Sequence, residues 1–496
     1  MTSNKLLSAL LAVALMGAPA CPPAFAQEAA TTSRPPWQAP SIWPDRIVAT
    51  ISQNPATSFS VSWRTDETIG GAIAQIAPAI AEARFDLAAT TISADTQTVD
   101  PQHLIYNGEV VTIVQNVGLA PVNYHTATFT GLKPDTLYAY RVRGAPGAWS
   151  AWRQIRTAPL DGPITFLFFG DSQTGIRSHV TRTFDAALRA APDARFAMHG
   201  GDLVNTAEYD KEWAEWFEAV GVVAQTIPEL PSPGNHDYFN FSKEDRDDDK
   251  LFIADRSVTH LWRPQFELPL EPDLPEDLQE TVYDVRYSKD VHVFSIDSSG
   301  VTFDKQMAWL SKELEASDAT WRIVYMHHPL YSFVGGREHP AHKERRLKMM
   351  KVLKEHNVDL VLTGHRHSYQ RGDIGKGVSR MQAGDPRKVD TVFLITATST
   401  KRGESKVDGW ERFSQETNGD YKLRRSADNI PLFAVFDADG STLTARVLDA
   451  TGDEYDAFTL SKDAAGVMTV TDGASAGGDT LTFDNTAPYK AWDDLR

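Results

Sequence analysis

The stretch VDLVLTGHRHSYQR, residues 358–371, joins a buried-strand pattern to a turn that carries two imidazoles. Residues 358–363 are mostly apolar, which is typical of a short strand covered on both faces. His365 and His367 follow, and residues at i and i+2 of an extended or tightly turning segment project to the same side. Taken alone, the two histidines fit a surface turn as well as a ligand site, so the rest of the chain has to decide.

Apolar runs alternate with helical patterns through the centre of the chain. The runs with a strand pattern are 164–169, 194–199, 322–326, 358–363 and 391–397. The segments with a helical pattern are 175–191, 208–224, 305–317 and 342–356, and a hairpin-like pair lies at 281–287 and 291–297. Continuous apolar strands with intervening helices predict a central sheet that is covered on both faces.

Metal-binding types of residue follow five segments of this core. The five segment ends are Gly170-Asp171, Gly200-Gly201-Asp202, Gly234-Asn235-His236-Asp237, His327-His328 and Gly364-His365-Arg366-His367. Because ligand crevices in open α/β sheets lie beyond the carboxyl ends of the strands, these ends can converge. Asp, Asn and His suit first-row divalent ions, and the set exceeds what one tetrahedral ion needs. It predicts two ions that share a carboxylate.

The segments on either side of this core have β patterns. From about 45 to 157, short alternating stretches such as SFSVSWRT and LYAYRVRG are separated by turn residues such as NPAT and LKPDT. Strands at this spacing predict an all-β sandwich of roughly one hundred residues. After about residue 400 the chain is first polar and then returns to β-like pairs, including LFAVFDA and TLTARVLDA. We interpret these pairs as a β appendage on the core.

With these motifs in this order, the chain resembles the calcineurin-like metallophosphoesterases, and within them the purple acid phosphatases. The resemblance rests on GDSQTG, GGDLVN, GNHDY, the MHHPLY block and GHRHSYQR, and on YHTATFTGLKPDTLYAYRVRG in the N-terminal part. It implies a metallophosphoesterase α/β sandwich core, preceded by an all-β fibronectin-like domain and followed by the small β appendage. The domains expected from it are a signal peptide (1–26), a linker (27–43), the fibronectin-like sandwich (44–158), the catalytic domain (163–398) and the appendage (399–496).

The resemblance also implies roles for single residues. Six are implied as metal ligands: Asp202 for both ions, Asp171 and His367 for the first, and Asn235, His327 and His365 for the second. His236 would face the phosphate and donate to its oxygens. His339 would be a second phosphate contact or the leaving-group acid, and His328 would support the ligands from beside them.

The sequence departs from the family pattern at two positions of the first site. Purple acid phosphatases resemble one another in having a tyrosine three residues after the bridging aspartate, where this chain has Asn205. The wider superfamily has a histidine two residues after the first aspartate, where this chain has Gln173. Gln173, Asn205 or water would complete the first site. Without a phenolate to hold a trivalent ion, we expect two divalent ions (Fe, Mn or Zn), no purple colour, and weak occupancy of the first site.

The predicted function is hydrolysis of phosphoesters by water that two metal ions activate, with a phosphomonoesterase of the acid phosphatase type as the leading form. A phosphodiesterase or phosphotriesterase is an alternative, because the same pair of ions can serve esters of any degree. From a different class, a metal-depleted binding protein without turnover is also open, since positions 173 and 205 depart from the pattern.

Composition and the N-terminus constrain the partners and the location. The chain has 496 residues, a formal net charge of -17 and no lysine- or arginine-rich block, which argues against nucleic acid and favours a small phosphoester. An apolar stretch from Leu6 to Met16 and the end Ala24-Phe25-Ala26 predict a signal peptide cleaved after Ala26, and hence a periplasmic or secreted protein. Lipid attachment at Cys21 is the alternative. No membrane insertion of the mature chain is expected, and the oligomeric state stays open.

Overall fold

The computed structural model of the chain describes residues 39–106, 109–239, 257–300, 302–331, 340–375, 387–401, 403, 413, 416–417, 421–473 and 481–482. The predicted signal peptide, most of the linker and His339 lie outside the described residues. Within the described part, none of the helices combines the length and the apolar character that a membrane crossing requires.

The N-terminal part of the described chain is an all-β domain, as predicted. Its strands are β1 (Asp45–Thr50), β2 (Phe59–Asp66), β3 (Ile73–Pro78), β4 (Thr90–Ser93), β5 (Asp95–Val99), β6 (His103–Tyr106), β7 (Glu109–Thr112), β8 (Val122–Phe129), β9 (Leu137–Arg143) and β10 (Arg153–Arg156). One layer has the order β1-β2-β8-β5, the other has the order β10-β9-β3-β4, and β6 pairs with β7. Alternate residues of β2, including Val61 and Trp63, point between the two layers and are fully buried there.

The core that follows alternates strands and helices. Its strands are β11 (Ile164–Phe169), β12 (Ala197–Gly200), β13 (Glu229–Ser232), β14 (Tyr283–Arg286), β15 (Val291–Ile296), β16 (Trp321–Met326), β17 (Leu360–Thr363), β18 (Ser368–Ile374), β19 (Arg387–Lys388) and β20 (Thr391–Ile395). Its helices are α1 (Thr181–Ala190), α2 (Asp210–Val220), α3 (Val223–Thr226), α4 (Trp262–Gln265), α5 (Phe303–Ala316) and α6 (Pro340–Glu355). Short 3-10 turns lie at Phe85–Ala88, Val114–Asn116, Asn235–Asp237 and Glu276–Leu278, and a π turn spans Ile176–Val180.

The core contains two sheets, whereas the apolar runs alone predicted a single central sheet. Strands β11, β12 and β13 are parallel neighbours in one sheet. Strands β15, β16, β17 and β20 are parallel neighbours in the other, with β14 and β18 as antiparallel additions. The apolar runs could not distinguish one central sheet from two stacked sheets. In both arrangements the strands are buried on both faces, so they have the same continuous apolar pattern.

Side chains of β16 show how the layers are stacked. Ile323 and Tyr325 belong to the core cluster that also contains Phe166 of the first sheet, so the two sheets pack on each other. Val324 and Met326 point the other way and pack with residues of α5 and α6. Helices α1 and α2 cover the outer face of the first sheet through residues such as Trp216. The result is the α/β sandwich core expected from the resemblance.

The C-terminal strands are built into both core sheets. They are β21 (Tyr421–Asp428), β22 (Leu432–Asp439), β23 (Thr442–Asp449), β24 (Glu454–Lys462), β25 (Met468–Asp472) and β26 (Leu481–Thr482). Strand β22 pairs antiparallel with β11, and β21 pairs antiparallel with β18. The β segment that follows the core is therefore an extension of its two sheets.

A pair of neighbouring strands and a buried ion network join the N-terminal domain to the core. Strand β1 lies beside β13, with Thr50 opposite Glu229. Arg46 contacts Asp210 at the start of α2 at 2.9 Å, and both side chains are almost completely buried. Arg64 lies 3.7 Å from the same carboxylate. These contacts fix the N-terminal domain against β13 and α2 of the core.

Candidate metal centre

The six predicted ligands lie together at one edge of the two core sheets. Each follows a parallel strand: Asp171 follows β11, Asp202 follows β12, Asn235 follows β13, His327 follows β16, and His365 and His367 follow β17. The carboxyl ends of the strands in both sheets thus converge, as the ligand-crevice rule for α/β sheets anticipates. Short contacts between the six side chains confirm that the motifs converge.

The backbone at this edge is unusually constrained. Asp202, His365 and His367 have φ values of 53°, 72° and 49°, in the left-handed region that L-residues rarely adopt. Gly201 has a φ of 84°, and a Cβ there would lie 2.6 Å from the backbone nitrogen of Gly234. A Cβ on Gly364 would lie 2.2 Å from Oδ1 of Asp171. The glycines of the motifs therefore allow the strand ends to approach each other closely.

Four donor atoms form the second cluster. Nε2 of His327 lies 2.9 Å from Oδ1 of Asn235 and 3.3 Å from Oδ2 of Asp202. Nδ1 of His365 lies 3.1 Å from Oδ1 of Asn235 and 3.0 Å from Nε2 of His327. Nδ1 of His327 donates to the carbonyl of Gly200 at 2.8 Å, so Nε2 of the neutral ring offers a lone pair. When the His327 ring is neutral, its Nε2, Oδ1 of Asn235 and Oδ2 of Asp202 are therefore acceptors that face one another.

The protonation behaviour of this cluster follows from its charges. Burial would raise the pKa of Asp202, but the positive charge of His327 outweighs it and holds that pKa well below its usual range. Burial would lower the pKa of His327, but the Asp202 carboxylate outweighs it and raises that pKa to about 9. Burial, followed by the charge of His328, holds the pKa of His365 well below its usual value. The cluster thus stabilises one positive charge among its acceptors.

The first cluster contains Asp171, His367 and the shared Asp202. Nε2 of His367 lies 3.0 Å from Oδ2 of Asp171. The amide nitrogen of Gln173 lies 2.7 Å from Oδ2 of Asp202, 3.2 Å from Nε2 of His367 and 3.4 Å from Oδ2 of Asp171. Gln173, which the sequence singled out as a departure, is therefore a member of this cluster.

Asn205, the other departure, is not a member of the first cluster. Its side-chain amide donates to the Thr206 hydroxyl at 3.5 Å, and its backbone carbonyl accepts a hydrogen bond from Nδ1 of His236 at 2.7 Å. Its backbone N–H donates to Glu212. In this structure Asn205 contacts the site through its backbone bond with His236, and its role in completing the first site stays a prediction.

Two further groups support the ligands. Asp237 accepts hydrogen bonds from the backbone N–H groups of Gly234 and Leu203, at 2.8 and 3.1 Å, and so ties two ligand turns together. Burial, followed by the charge of Asp202, raises the pKa of Asp237 to about 8. His328 contacts the Ser298 hydroxyl through Nδ1 at 2.9 Å, and its ring packs against His365.

Lys401 lies in the site, although the sequence analysis did not select it. Its Nζ is 3.3 Å from Oε1 of Gln173 and 3.4 Å from Nε2 of His236. The signal was available, because residues 391–397 were predicted as a parallel strand whose carboxyl end should reach the same crevice. Lysine is not among the acidic, amide and imidazole side chains that bind divalent ions, so the ligand pattern does not include it. Asp171 and Ala397 form a bridge that brings its segment to the edge.

The donor set fits divalent cations. Ligand atoms about 2 Å from a common ion lie about 3.3 Å apart in tetrahedral geometry, and the separations in the second cluster are close to this. Acceptors at such distances repel each other unless a positive charge lies among them. The first cluster offers two carboxylates and one imidazole, which suit the same class of ion, while the amide nitrogen of Gln173 adds no lone pair in this orientation.

Two family models match consecutive parts of the chain. The model described as the purple acid phosphatase N-terminal domain matches residues 44–157. The model described as calcineurin-like phosphoesterase matches residues 164–369, the range that contains all six ligands.

Two of the following three relatives are named purple acid phosphatases, and the other is uncharacterized. Purple acid phosphatase 18 of Arabidopsis thaliana is 27% identical over 256 residues, which are 50% of this chain and 52% of that protein. An uncharacterized protein of Mycobacterium tuberculosis is 25% identical over 378 residues, covering 69% of this chain and 64% of the relative. Probable inactive purple acid phosphatase 27 of Arabidopsis thaliana is 22% identical over 281 residues, 50% of this chain and 43% of that protein. The chain thus spans about half the length of the plant proteins it matches.

Solved structures share the fold. A purple acid phosphatase from yellow lupin (Lupinus luteus) seeds superposes with a TM-score of 0.64 at 18% identity, over 86% of this chain and 75% of that one. A structure of PhoD superposes with a TM-score of 0.57 at 12% identity, over 89% of this chain and 95% of that one. The chain therefore resembles the calcineurin-like phosphoesterases over the part that holds the candidate centre and the purple acid phosphatase N-terminal domain over the part before it, and the solved structures share its fold.

Proposed function

We propose that the chain hydrolyses phosphoesters at this edge with the help of two divalent cations. The observation that carries the proposal is the convergence of six oxygen and nitrogen donors from five strand ends, with Asp202 in contact with both clusters. Two cations held there would lower the pKa of water, bind the phosphoryl oxygens and neutralise charge as the ester is cleaved. Manganese, zinc and ferrous iron all suit these donors.

The residues of the chain have distinct roles in this proposal. Asp171, His367 and Asp202 would hold the first cation, and Asn235, His327, His365 and Asp202 the second. His236 donates its backbone N–H to Oδ1 of Asp202 at 2.8 Å, which leaves Oδ2 to face the clusters. Its ring lies beside the ligands, where it would contact the phosphoryl group. His339 remains a proposed second contact, and His328 would hold the His365 ring in place.

The finer substrate assignment is a phosphomonoester. Family resemblance to the acid phosphatases supports it, and turnover of a monoester above that of a diester is the expected result. Parallel assays with nitrophenyl phosphate and its bis-ester distinguish the two, because both release the same chromophore. A faster reaction with the bis-ester would replace the monoesterase assignment with the phosphodiesterase alternative and leave phosphoester hydrolysis intact.

The central experiment is hydrolysis by metal-loaded protein with and without a ligand. We expect His365→Ala to lower turnover of nitrophenyl phosphate at least about a hundredfold, because loss of a ligand weakens metal binding more than loss of its outer partners. His103→Ala is the matched control, since His103 lies on β6 and pairs with Asp100. Equal turnover in the His365→Ala variant and the control, with both folded by circular dichroism, would refute the proposal.

A binding protein without turnover is the second candidate. The observation that favours it is the amide nitrogen of Gln173, which points among the ligands of the first cluster where a lone pair is needed. One relative is itself named a probable inactive phosphatase. Metal content near one ion per chain together with no turnover of any phosphoester would favour this candidate.

The domain limits and the location are proposals as well. We retain 44–158 for the N-terminal sandwich, 163–398 for the catalytic domain and 399–496 for the C-terminal strands. Export to the periplasm or the medium through a signal peptide at residues 1–26 is supported by the sequence pattern there. Mass spectrometry of the exported protein would test cleavage after Ala26.

A further inference from the structure

Lys401 places a positive charge beside the candidate metal ligands. It follows β20 in a half-buried position, and its ammonium group lies within 3.4 Å of both Gln173 and His236. Both contacts are to neutral acceptors, the amide oxygen and a ring nitrogen. Within the part of the chain that the structure describes, no carboxylate forms an ion pair with this ammonium group. The charge of this group acts on the Asp202 carboxylate, so it is close enough to the ligands to act on an anion bound among them.

The contacts of His236 show why a second donor is needed at this place. Nδ1 of His236 lies 2.7 Å from the carbonyl of Asn205, so this nitrogen carries the ring proton. Nε2 faces Lys401, and an ammonium group can only donate. In this arrangement Nε2 is an acceptor, and the neutral ring has no N–H left for a phosphoryl oxygen. Lys401 has three N–H groups, of which the two contacts use two.

Gln173 connects the lysine to the ligands. Its amide nitrogen donates to Oδ2 of Asp202 at 2.7 Å, while its amide oxygen accepts from Lys401 at 3.3 Å. The carboxamide of Gln173 presents its donor and its acceptor on one planar group, so it contacts Asp202 and Lys401 at the same time. The departure from the family pattern at 173 and the lysine at 401 are thus parts of one arrangement.

We propose that Lys401 binds the phosphoryl group of the substrate beside His236, and that Gln173 is its positioning residue. This inference rests on the proposed function, since it assumes that a phosphoryl group occupies the site. A lysine contributes a compact point charge with rotatable donors, which suits a phosphate dianion. Charge-assisted hydrogen bonds of this kind are stronger than those between neutral groups.

The test is calorimetric titration of metal-loaded protein with inorganic phosphate, together with elemental analysis of bound metal. Lys401→Met should weaken phosphate binding about tenfold to a hundredfold, the range expected for loss of one charged hydrogen bond. Lys401→Arg keeps the charge and should retain most of the affinity. Gln173→Leu should weaken phosphate binding in wild-type background but not in the Lys401→Met background, because its effect acts through the lysine. Lys351→Met is the charge-matched control, since Lys351 is exposed and pairs with Glu355.

The outcomes separate this inference from the proposed function. Phosphate affinity that is the same in Lys401→Met and Lys351→Met, at equal metal content, would overturn the role of Lys401 even if the wild-type protein hydrolyses phosphoesters. A loss of bound metal in Lys401→Met that accounts for the loss of phosphate affinity would also overturn it. Lysine-dependent phosphate binding by a protein without turnover would support the inference while refuting the proposed function.

Discussion

At the scale of single residues, the candidate centre depends on backbone conformations that most side chains avoid. Asp202, His365 and His367 lie in the left-handed region, which costs of order 1 kcal/mol or more for each non-glycine residue. The hydrogen bonds around them fix these conformations. For example, the N–H of His365 donates to Oδ1 of Asp171 at 2.5 Å, and the N–H of His236 donates to Asp202. The ligands are thus held in place by one another before any ion binds.

Gly364 is the position where this close packing is most easily tested. A Cβ there would lie 2.2 Å from Oδ1 of Asp171 and 2.8 Å from the carbonyl of Gly200. Gly364→Ala should therefore displace Asp171 and weaken metal binding at the first site at least about tenfold. Gly71→Ala is the control, because a Cβ on Gly71 meets nothing within 4 Å. Metal titration of both variants decides, and unchanged affinity in Gly364→Ala would contradict the packing described.

At the scale of elements, the segment between α4 and β14 carries a titratable group outside the centre. Burial, followed by the charge of Glu267, raises the pKa of Glu280 to about 7 from its ordinary 4.5. The folded chain therefore favours the neutral form. The stability that this gives is complete below pH 4.5 and is lost as the pH rises through about 7.

The Glu280→Gln variant should isolate this effect. Near pH 5 it should unfold like the wild type, and near pH 8 it should be more stable by about 2 kcal/mol, a value reduced for partial exposure to solvent. Glu276→Gln, a change at an exposed glutamate of the same segment, should show no such difference. Chemical denaturation at both pH values is the measurement, and an equal difference at the two values would contradict the shifted pKa.

Elements also show how much of the fold the sequence could predict. Strand β11 matches the apolar run 164–169 residue for residue, because a continuous apolar run of this length is typical of a strand buried on both faces. Strand β18 was missed, since SYQRGDI reads as polar. Arg371 within it is buried because it pairs with Asp456 at 2.6 Å. That partner lies 85 residues away in sequence, and no local pattern shows the pairing.

The sequence also predicted part of the candidate centre, namely its six ligands. The five strand ends placed six ligands at one edge, because parallel strands end on the same side of a sheet. The role of Lys401 was not predictable, since it depends on the side chains of Gln173 and His236 meeting it across the crevice. The contact of the Asn205 amide with Thr206 likewise depends on the direction of one side chain, which spacing does not give.

At the scale of the whole molecule, a buried ion network joins the N-terminal domain to the core. Asp210 of α2 lies 2.9 Å from Arg46 and 3.7 Å from Arg64, and all three side chains are at most 2% exposed. Removing one partner of a buried pair leaves an uncompensated charge in a medium of low polarity. The two domains should therefore lose stability together when this aspartate is changed.

Asp210→Asn should destabilise the protein by about 3–5 kcal/mol, because two buried guanidinium groups lose their shared carboxylate. Asp135→Asn is the control, since Asp135 is 55% exposed where it pairs with Arg195. The free energy of unfolding from urea denaturation measures both. If the two variants lose equally little stability, the network does not join the domains as described.

The arrangement of the whole site depends on where cations bind. Asp202 contacts His327 of one cluster and Gln173 of the other, so a single carboxylate should lie between two ions. Anomalous X-ray scattering from crystals of the manganese- or zinc-loaded protein measures this most directly. We expect two peaks, one among Asn235, His327, His365 and Asp202 and one among Asp171, His367 and Asp202. Absence of any peak among these residues in metal-loaded crystals would contradict the account.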